Sequence, residues 1–429
     1  MELYKETNYQ TSSFARIPKD WNRARLEDVI DSFQTGIWGG EPVQGKKSFP
    51  VIRSTEITYD GRIDPSSAAW RDIPERKIEK YMLQDGDILL VASSGSSHLI
   101  GRAAIYKQFE SNQTFLFSNF MIRIRPADIN PAFLYYCLRS SQYHEYLKQL
   151  QQTSTGLRNL PRKEILLFEL PFPSRIEQDN IVYVLDIIDK LIQQTDSIIR
   201  KTQELKKGLM QELLTKGIGH KEFKYSEELG CEIPKEWELR SVEDICDVNK
   251  DTLNNGTEVD YEFLYIDIGS VAYAGAKPTI QQLAFRDAPS RARRRVKKDD
   301  ILVSTVRPNL RAFTYINDDL DNLICSTGYA VLSTKQVACS KFVYQFILSE
   351  YFLNQLVPMG SSYPAVTSKQ VGRVKIPLPK LDEQQKIAKI LTSIDEQIET
   401  EMLTKEKLEK LKKGLMQILL TGQVRIKVN

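Results

Sequence analysis

The heptapeptide LKKGLMQ occurs twice in this chain, at Leu205 to Gln211 and again at Leu411 to Gln417. Sliding the sequence on itself by 206 positions (411 minus 205) aligns Pro171 to Thr215 with Pro377 to Thr421 without a gap. Of those 45 pairs, 20 are identical, where roughly three would be expected from average residue usage. Pro171 and Pro173 match Pro377 and Pro379, Glu177 and Gln178 match Glu383 and Gln384, and Asp189 matches Asp395. Upstream the match continues at shifted offsets: IPKDW at Ile17 returns as IPKEW at Ile233, GDILLV at Gly86 as DDILVS at Asp299, and FLYY at Phe133 as FVYQ at Phe342. The chain is a tandem duplication, so whatever one half builds the other must build again.

Each aligned segment reads as a long helix. In the first, Leu185, Ile188, Ile192, Thr195, Ile199, Thr202, Leu205, Leu209 and Leu213 step by three and four, the spacing of one helical face. Ser174 followed by Glu177 reads as a capping box, behind prolines that hold the start of the helix back. Nearly 40 residues at ~1.5 Å each make a rod of about 57 Å. The second copy steps through Ile387, Ile390, Ile394, Ile398, Leu408, Leu411, Leu415 and Ile418, with polar residues from Glu399 to Glu401 weakening its middle. If the second helix packs on the first it must run back along it, giving an antiparallel pair and a pseudo-twofold relation between the halves.

The segments between the rods read as mixed α/β. Short apolar runs such as DILLVA, FMIRIRP, EFLYIDIG and YAVLST have strand character, with Gly, Asn, Asp and Ser in the gaps. Phe133 to Leu150 and Phe342 to Val357 read as short helices. The expected class is therefore α+β: two mixed α/β domains, 1–170 and 219–376, separated and joined by two long helices at 171–218 and 377–429 that form an antiparallel coiled coil.

Composition narrows the function. Charged residues at 27 % and apolar ones at 41 % are ordinary for a globular protein. No apolar run approaches the ~18 residues of a membrane span, and the start MELYKETNYQ has no apolar core of a signal segment. The expectation is a cytoplasmic protein with no membrane partner. Cys137, Cys231, Cys246, Cys325 and Cys339 form no CxxC pair and three histidines are available to join them, which argues against a zinc cluster or a disulfide framework.

No catalytic constellation stands out. GEPVQGKKS at Gly40 to Ser48 resembles a phosphate-binding loop, but Lys47 occupies the position that needs Ser or Thr and Pro42 interrupts it. A Gly-rich cofactor turn after a strand is missing, as is an Asn/Asp-Pro-Pro-aromatic motif. Asp85, Asp87, Asp299 and Asp300 read as solvated turns at strand edges rather than Mg²⁺ ligands. In SSGSSHLIG, His98 lies too close in sequence to the serines to form a positioned triad with them.

A DNA reader needs Lys and Arg for phosphates, and Arg, Asn, Gln, Ser or aromatic side chains for base edges. Candidates fall in the gaps between strands of both halves. In the first they are Trp38 in TGIWGG, Lys46 and Lys47, Ser94, Ser96 and His98 in SSGSSH, Arg102, and Arg158 with Asn159 in TSTGLRN. In the second they are Arg291, Arg293, Arg294 and Arg295 in RARRRVKK, Arg307, Asn309 and Arg311 in VRPNLR, and Tyr363 in GSSYP. Net charge of +3 makes these local patches, not the whole chain, the candidate footprint.

The repeated PxPxxxEQ with its long helix, IPLPKLDEQQKIAKIL at Ile376, LLTKGIG at Leu213, the IPKEW that follows, and the closing LLTGQVRIKV together resemble the specificity subunit of type I restriction-modification systems. The resemblance covers the whole chain. It implies a protein without catalysis: two target-recognition domains read the halves of a bipartite, asymmetric double-stranded DNA target, and the coiled coil fixes their spacing. It also implies two docked methyltransferase subunits, with restriction and translocation subunits joining in the full complex. S-adenosylmethionine, Mg²⁺ and ATP would belong to those partners, leaving no cofactor here. A coiled-coil scaffold with protein-binding end domains is the competing expectation.

The heptapeptide lies near the C-terminal end of each rod, where equivalent outward surfaces would suit two copies of one partner. Gly208 and Gly414 cost each helix ~1 kcal/mol relative to Ala. They therefore predict a close backbone approach or a bend at both places, with Met210 and Met416 beside them as contact residues.

Overall fold

The computed structural model describes residues 2–427 apart from 13–14, 59, 110–112, 153–158, 255, 272–274 and 359–363. It divides into two compact units, residues 1–194 with 404–429 and residues 195–403. Each long helix passes from one unit into the other: the first is Arg175–Leu213, the second Leu381–Leu419, 39 residues each. Among the described residues no helix is long and apolar enough to cross a membrane.

In the first unit a four-stranded antiparallel sheet runs in the order Ile30–Thr35, Met121–Pro126, Ile88–Val91, Ala103–Ile105. A three-stranded sheet holds Leu116–Phe117 parallel to Phe49–Ile52, with Ala69–Arg71 beyond it. The strand Ile88–Val91 is buried along its length. Its side chains alternate between two cores. Ile88 and Leu90 join Phe133, Tyr136 and Tyr143 of the short helices, and Leu89 and Val91 join Phe115, Phe117 and Met121.

The second unit repeats the plan. Its four-stranded sheet runs Cys246–Val248, Tyr329–Thr334, Ile301–Ser304, Phe313–Tyr315, and a second sheet holds Glu262–Ile266 parallel to Leu323–Ser326, flanked by Gln281–Ala284 and Ala292–Arg295. One difference lies at the ends. In the first unit Leu3–Lys5 pairs antiparallel with Val424–Ile426, so the two extremities of the chain are laced together.

The repeated Glu-Gln pair fixes each long helix to its unit. Glu177 accepts a hydrogen bond from Trp21 Nε1 at 3.0 Å, and Glu383 accepts one from Trp237 Nε1 at 3.2 Å. Gln178 accepts from the Asn130 amide and Gln384 from the Cys339 amide, both at 2.8 Å, at the start of the short helices. The capping box read from Ser174 and Glu177 is only half made. Ser174 Oγ accepts from the Glu177 amide at 3.4 Å, but the carboxylate turns away to Trp21 and to Arg425. After each helix a glycine takes positive φ, Gly217 and Gly422. A Cβ on Gly217 would lie 2.5 Å from the Trp237 ring and one on Gly422 3.0 Å from the Trp21 ring, so bare backbone is needed there.

Within each unit the long helices run antiparallel. In the first, Ile181 and Leu185 share a core with Leu419 and Leu420, and Lys412 Nζ lies 2.5 Å from Asp189. In the second, Ile387 and Leu391 share a core with Leu214, and Lys206 Nζ lies 2.5 Å from Asp395. Lys206 and Lys412 are equivalent in the repeat, as are Asp189 and Asp395, so each lysine pairs with the aspartate of the other copy. On the second helix every residue from Asp395 to Leu411 is at least partly exposed, in keeping with the weak middle of its apolar pattern.

Candidate nucleic-acid interface

The register of the four-stranded sheet in the first unit brings four strand ends to one edge. Thr35 faces Ile122, Met121 faces Val91, and Leu90 faces Ala103. The loops that follow Thr35 and Val91 and precede Met121 and Ala103 therefore crowd together. Trp38 lies on the first of these, Ser94, Ser96, exposed His98 and Arg102 on the second. Asn159 joins them through a bridge to Ser93, whose hydroxyl donates to the Asn159 side-chain oxygen. Arg158 lies outside the described residues.

Trp38 is partly buried against the Phe49, Val51, Ile73 and Leu116 cluster, and the Arg71 guanidinium stacks on its ring at 4.1 Å. Lys46 and Lys47 occupy the exposed turn feeding the strand Phe49–Ile52, with Lys47 Nζ 5.3 Å from the Phe49 ring. Residues not singled out from sequence reach the same edge. Arg162 donates to the Thr35 hydroxyl and, at 3.3 Å, to the Phe33 carbonyl. Phe120 is exposed on the turn before Met121. The local signal for Phe120 is a large apolar residue in a Ser-Asn turn.

The corresponding edge of the second unit is built the same way. Ser304 faces Tyr329, Val303 faces Phe313, and a bridge from Val306 to Ala365 takes the place of the one from Ser93 to Asn159. Arg307, Asn309 and Arg311 lie on the loop between those strands, with Asn309 and Arg307 exposed. Arg307 has φ +50° and Arg311 φ +52°, flanking the short 3-10 turn Pro308–Leu310. Left-handed backbone at a non-glycine residue costs on the order of 1 kcal/mol and concentrates at functional positions. Arg311 also donates to the Leu348 carbonyl at 3.3 Å and to Glu350. Tyr363 lies outside the described residues.

The basic run is corrected by the structure. Residues 292–295 form a strand paired with Leu323–Ser326, not a loop between strands. Arg291 remains at the loop edge, where its carbonyl accepts from the Thr327 amide at 2.8 Å and its guanidinium pairs with Asp267 at 2.9 Å. Arg293 stacks on Phe285 at 4.7 Å. Arg295 donates to the Tyr261 hydroxyl at 3.3 Å. Arg294 lies partly buried with Nη1 unpartnered among the described residues, and burial lowers its pKa. Strand alternation sets the partly buried Arg294 on the face opposite Arg293 and Arg295, which both lie against the cluster holding Phe285 and Tyr261.

The acidic turns are also corrected. Asp87 and Asp300 are buried, at 1 % and 2 % exposure, not solvated. Asp87 pairs with Arg125 at 2.8 Å and accepts from the Gln84 amide. Asp300 accepts from Ser333 at 2.6 Å and from the Lys297 amide, while burial raises its pKa. Both close the turn that starts a central strand. Among the described residues no cluster of His, Cys, Asp and Glu is arranged to hold a metal.

On the long helices, Gly208 and Gly414 are exposed, and a Cβ on either would meet nothing within 4 Å. The expected close backbone approach is thus not made among the described residues, and the helix runs unbroken through both positions. Met210 and Met416 are partly buried and pack against the cores of their own units. Leu205 and Leu411, at 56 % and 49 % exposure, are the apolar residues the heptapeptide presents to solvent.

These features coincide with known proteins. The type I restriction modification DNA specificity domain matches twice, over residues 18–207 and 234–411. A Methanocaldococcus jannaschii protein named as the MjaX type I restriction enzyme specificity subunit is 29 % identical, covering 100 % of this chain and 99 % of its own. The MjaVIII specificity subunit of the same organism is 28 % identical, with 100 % and 98 % covered. The type I restriction-modification S subunit of M. genitalium shares the fold at a TM-score of 0.54 and 15 % identity, over 96 % of this chain and 97 % of that one. The family is one of DNA recognition, and these relatives are specificity subunits rather than catalytic ones. With two family domains and mixed α/β units laced by two long antiparallel helices, the chain belongs to the type I restriction-modification DNA specificity family as a specificity subunit.

Proposed function

We propose that each unit reads one half of a bipartite, asymmetric double-stranded DNA target through the loops at its four-stranded sheet edge, and that the two long helices set the spacer between the halves. The observation that carries this is the recurrence of one edge in both units. A bridge, an adjacent loop of hydrogen-bonding side chains and at least one exposed arginine or histidine occur at equivalent places. The contact set comprises Trp38, Lys46, Lys47, Ser94, Ser96, His98, Arg102 and Asn159 in the first unit, and Arg291, Arg307, Asn309 and Arg311 in the second. Arg293 and Arg295 belong to it as well, and the partly buried Arg294 has a weaker place.

Two methyltransferase subunits dock on the long helices in this proposal, and restriction and translocation subunits join in the full complex. S-adenosylmethionine, Mg²⁺ and ATP act on those partners. Leu205 with Gly208, and Leu411 with Gly414, are the repeated exposed features that would meet two copies of one subunit. The reading is tested by reconstituting the chain with its neighbouring methyltransferase and mapping methylated adenines across a genome by single-molecule sequencing. A split motif, two short blocks around a fixed unspecified spacer, is the expected result. A continuous motif would end the spacer role of the helices, and an assembled complex without salt-dependent DNA affinity would favour a protein-binding scaffold.

A further inference from the structure

A singly exposed aromatic residue is unremarkable on a protein surface. What distinguishes Phe120, at 55 % exposure, is how it is held. It sits in the turn Ser118 to Met121, closed by the Met121 amide donating to the Ser118 carbonyl at 2.9 Å. Its own carbonyl accepts from the amides of Ala92 at 2.8 Å and Ser93 at 3.2 Å, and the Gly36 amide donates to Met121 at 3.1 Å. A Cβ on Gly36 would lie 2.2 Å from the Phe117 carbonyl oxygen and 2.4 Å from that of Ser118, so the two loops meet backbone to backbone. The turn is clamped on both sides while much of the ring faces solvent.

The loop that holds that turn is polar. Ser93, which bonds its carbonyl, is bridged to Asn159, and Ser94 and Ser96 follow on the same loop. In the second unit the position before Tyr329 is Gly328, so the feature belongs to one half only. In the major groove the apolar mark on a base pair is the thymine 5-methyl group, which aromatic side chains contact, while asparagine suits the adenine edge of the same pair.

We propose that Phe120 is a specificity-determining residue that packs on a thymine methyl group in the half-site read by the first unit. This rests on the DNA-reading function above. It makes one A·T pair in that half-site depend on an apolar contact that the other half lacks at the matching place.

The test uses the full chain assembled with its methyltransferase partner, and duplexes in which each thymine of the target is replaced in turn by deoxyuridine, which lacks only the methyl. Binding is followed by fluorescence anisotropy at fixed salt. The wild-type complex is expected to lose about fourfold in affinity at one thymine of one half-site, the worth of one buried methyl group. Phe120→Ala should weaken binding to the thymine duplex at least as much and be indifferent to the same replacement, while Phe120→Leu keeps part of the discrimination. Because the ring is exposed, both variants should fold, which circular dichroism checks. Wild-type indifference to every replacement, with Phe120→Ala still weakened, would overturn the methyl contact in favour of a stacking wedge. An unaffected Phe120→Ala would remove the residue from the interface altogether. Equal binding of target and scrambled duplexes by the wild-type complex would instead defeat the DNA reading beneath the proposal.

Discussion

The exchanged lysine–aspartate pairs give a quantitative handle on how the long helices are held. Lys412 and Asp189 are 11 % and 23 % exposed at 2.5 Å, and Lys412 also lies 5.5 Å from the Tyr136 ring, whose hydroxyl bonds Asp189 and Asp186 at 2.8 Å. A surface ion pair contributes below ~1 kcal/mol, whereas breaking a buried one costs about 3–5 kcal/mol because it strands a charge. At this intermediate exposure Lys412→Met should cost about 2–3 kcal/mol, and a double-mutant cycle with Asp189→Asn should show a coupling of about 2 kcal/mol. In the second unit Lys206 and Asp395 are 15 % and 36 % exposed, and Gln345 donates to Asp395 at 2.7 Å in place of the tyrosine. Better solvation of that carboxylate should reduce the coupling to about 1 kcal/mol. Hydrogen exchange measured through a denaturant series, with peptides drawn from each unit, reads the two opening free energies separately. Cycles additive to within ~0.5 kcal/mol, or a larger coupling in the second unit, would refute the argument from exposure.

Gly208→Ala and Gly414→Ala should each stabilise the isolated chain by up to ~1 kcal/mol, since the added methyl group meets nothing in the structure. Gly208→Leu with Gly414→Leu should weaken assembly with the methyltransferase more than it weakens folding, measured by pull-down against thermal melting. Trp237→Phe, which keeps one aromatic ring but loses the fused pyrrole ring of a buried side chain and its bond to Glu383, should cost about 2–4 kcal/mol in chemical denaturation. Glu56 is pushed up by burial, but hydrogen bonds from Arg53 win and hold it below its ordinary value of 4.5. Its folded pKa is thus depressed, so its contribution is complete above the ordinary carboxylate range and fades as pH falls through the folded value. The stability gap between wild type and Glu56→Gln should accordingly be widest near neutrality and close in acid. Removing four residues from both long helices should change the spacer length in the methylation motif, and an unchanged spacer would contradict the ruler.

The long helices were legible because Leu185, Ile188, Ile192 and Ile199 follow the helical period and all end buried. Strands such as Ile88–Val91 and Tyr329–Thr334 announce themselves as apolar runs. The strand at 292–295 did not, because arginine stems can line a strand while their charges hide its periodicity. Asp87 and Asp300 look like any acidic turn until the partners at Arg125 and Ser333 come into view. Glu177 illustrates the wider limit: its partner Trp21 is 156 residues away, so no local pattern could separate a cap from an anchor. The shared sheet edge is equally non-local, since it follows from strand order and register rather than from any loop's own residues.

The lacing of Leu3–Lys5 to Val424–Ile426 has a consequence for biosynthesis. Residues 1–194 are made before residues 404–429, yet their core takes Leu419, Leu420 and Ile426 from that later stretch. Among the described residues, the main core of the second unit is drawn from Leu209 to Leu391. At roughly 5–20 residues per second, the 209 residues between 194 and 404 take on the order of 10–40 s to translate. The first unit therefore waits through that interval with its core short of Leu419, Leu420 and Ile426, and the order of completion reverses the order of synthesis.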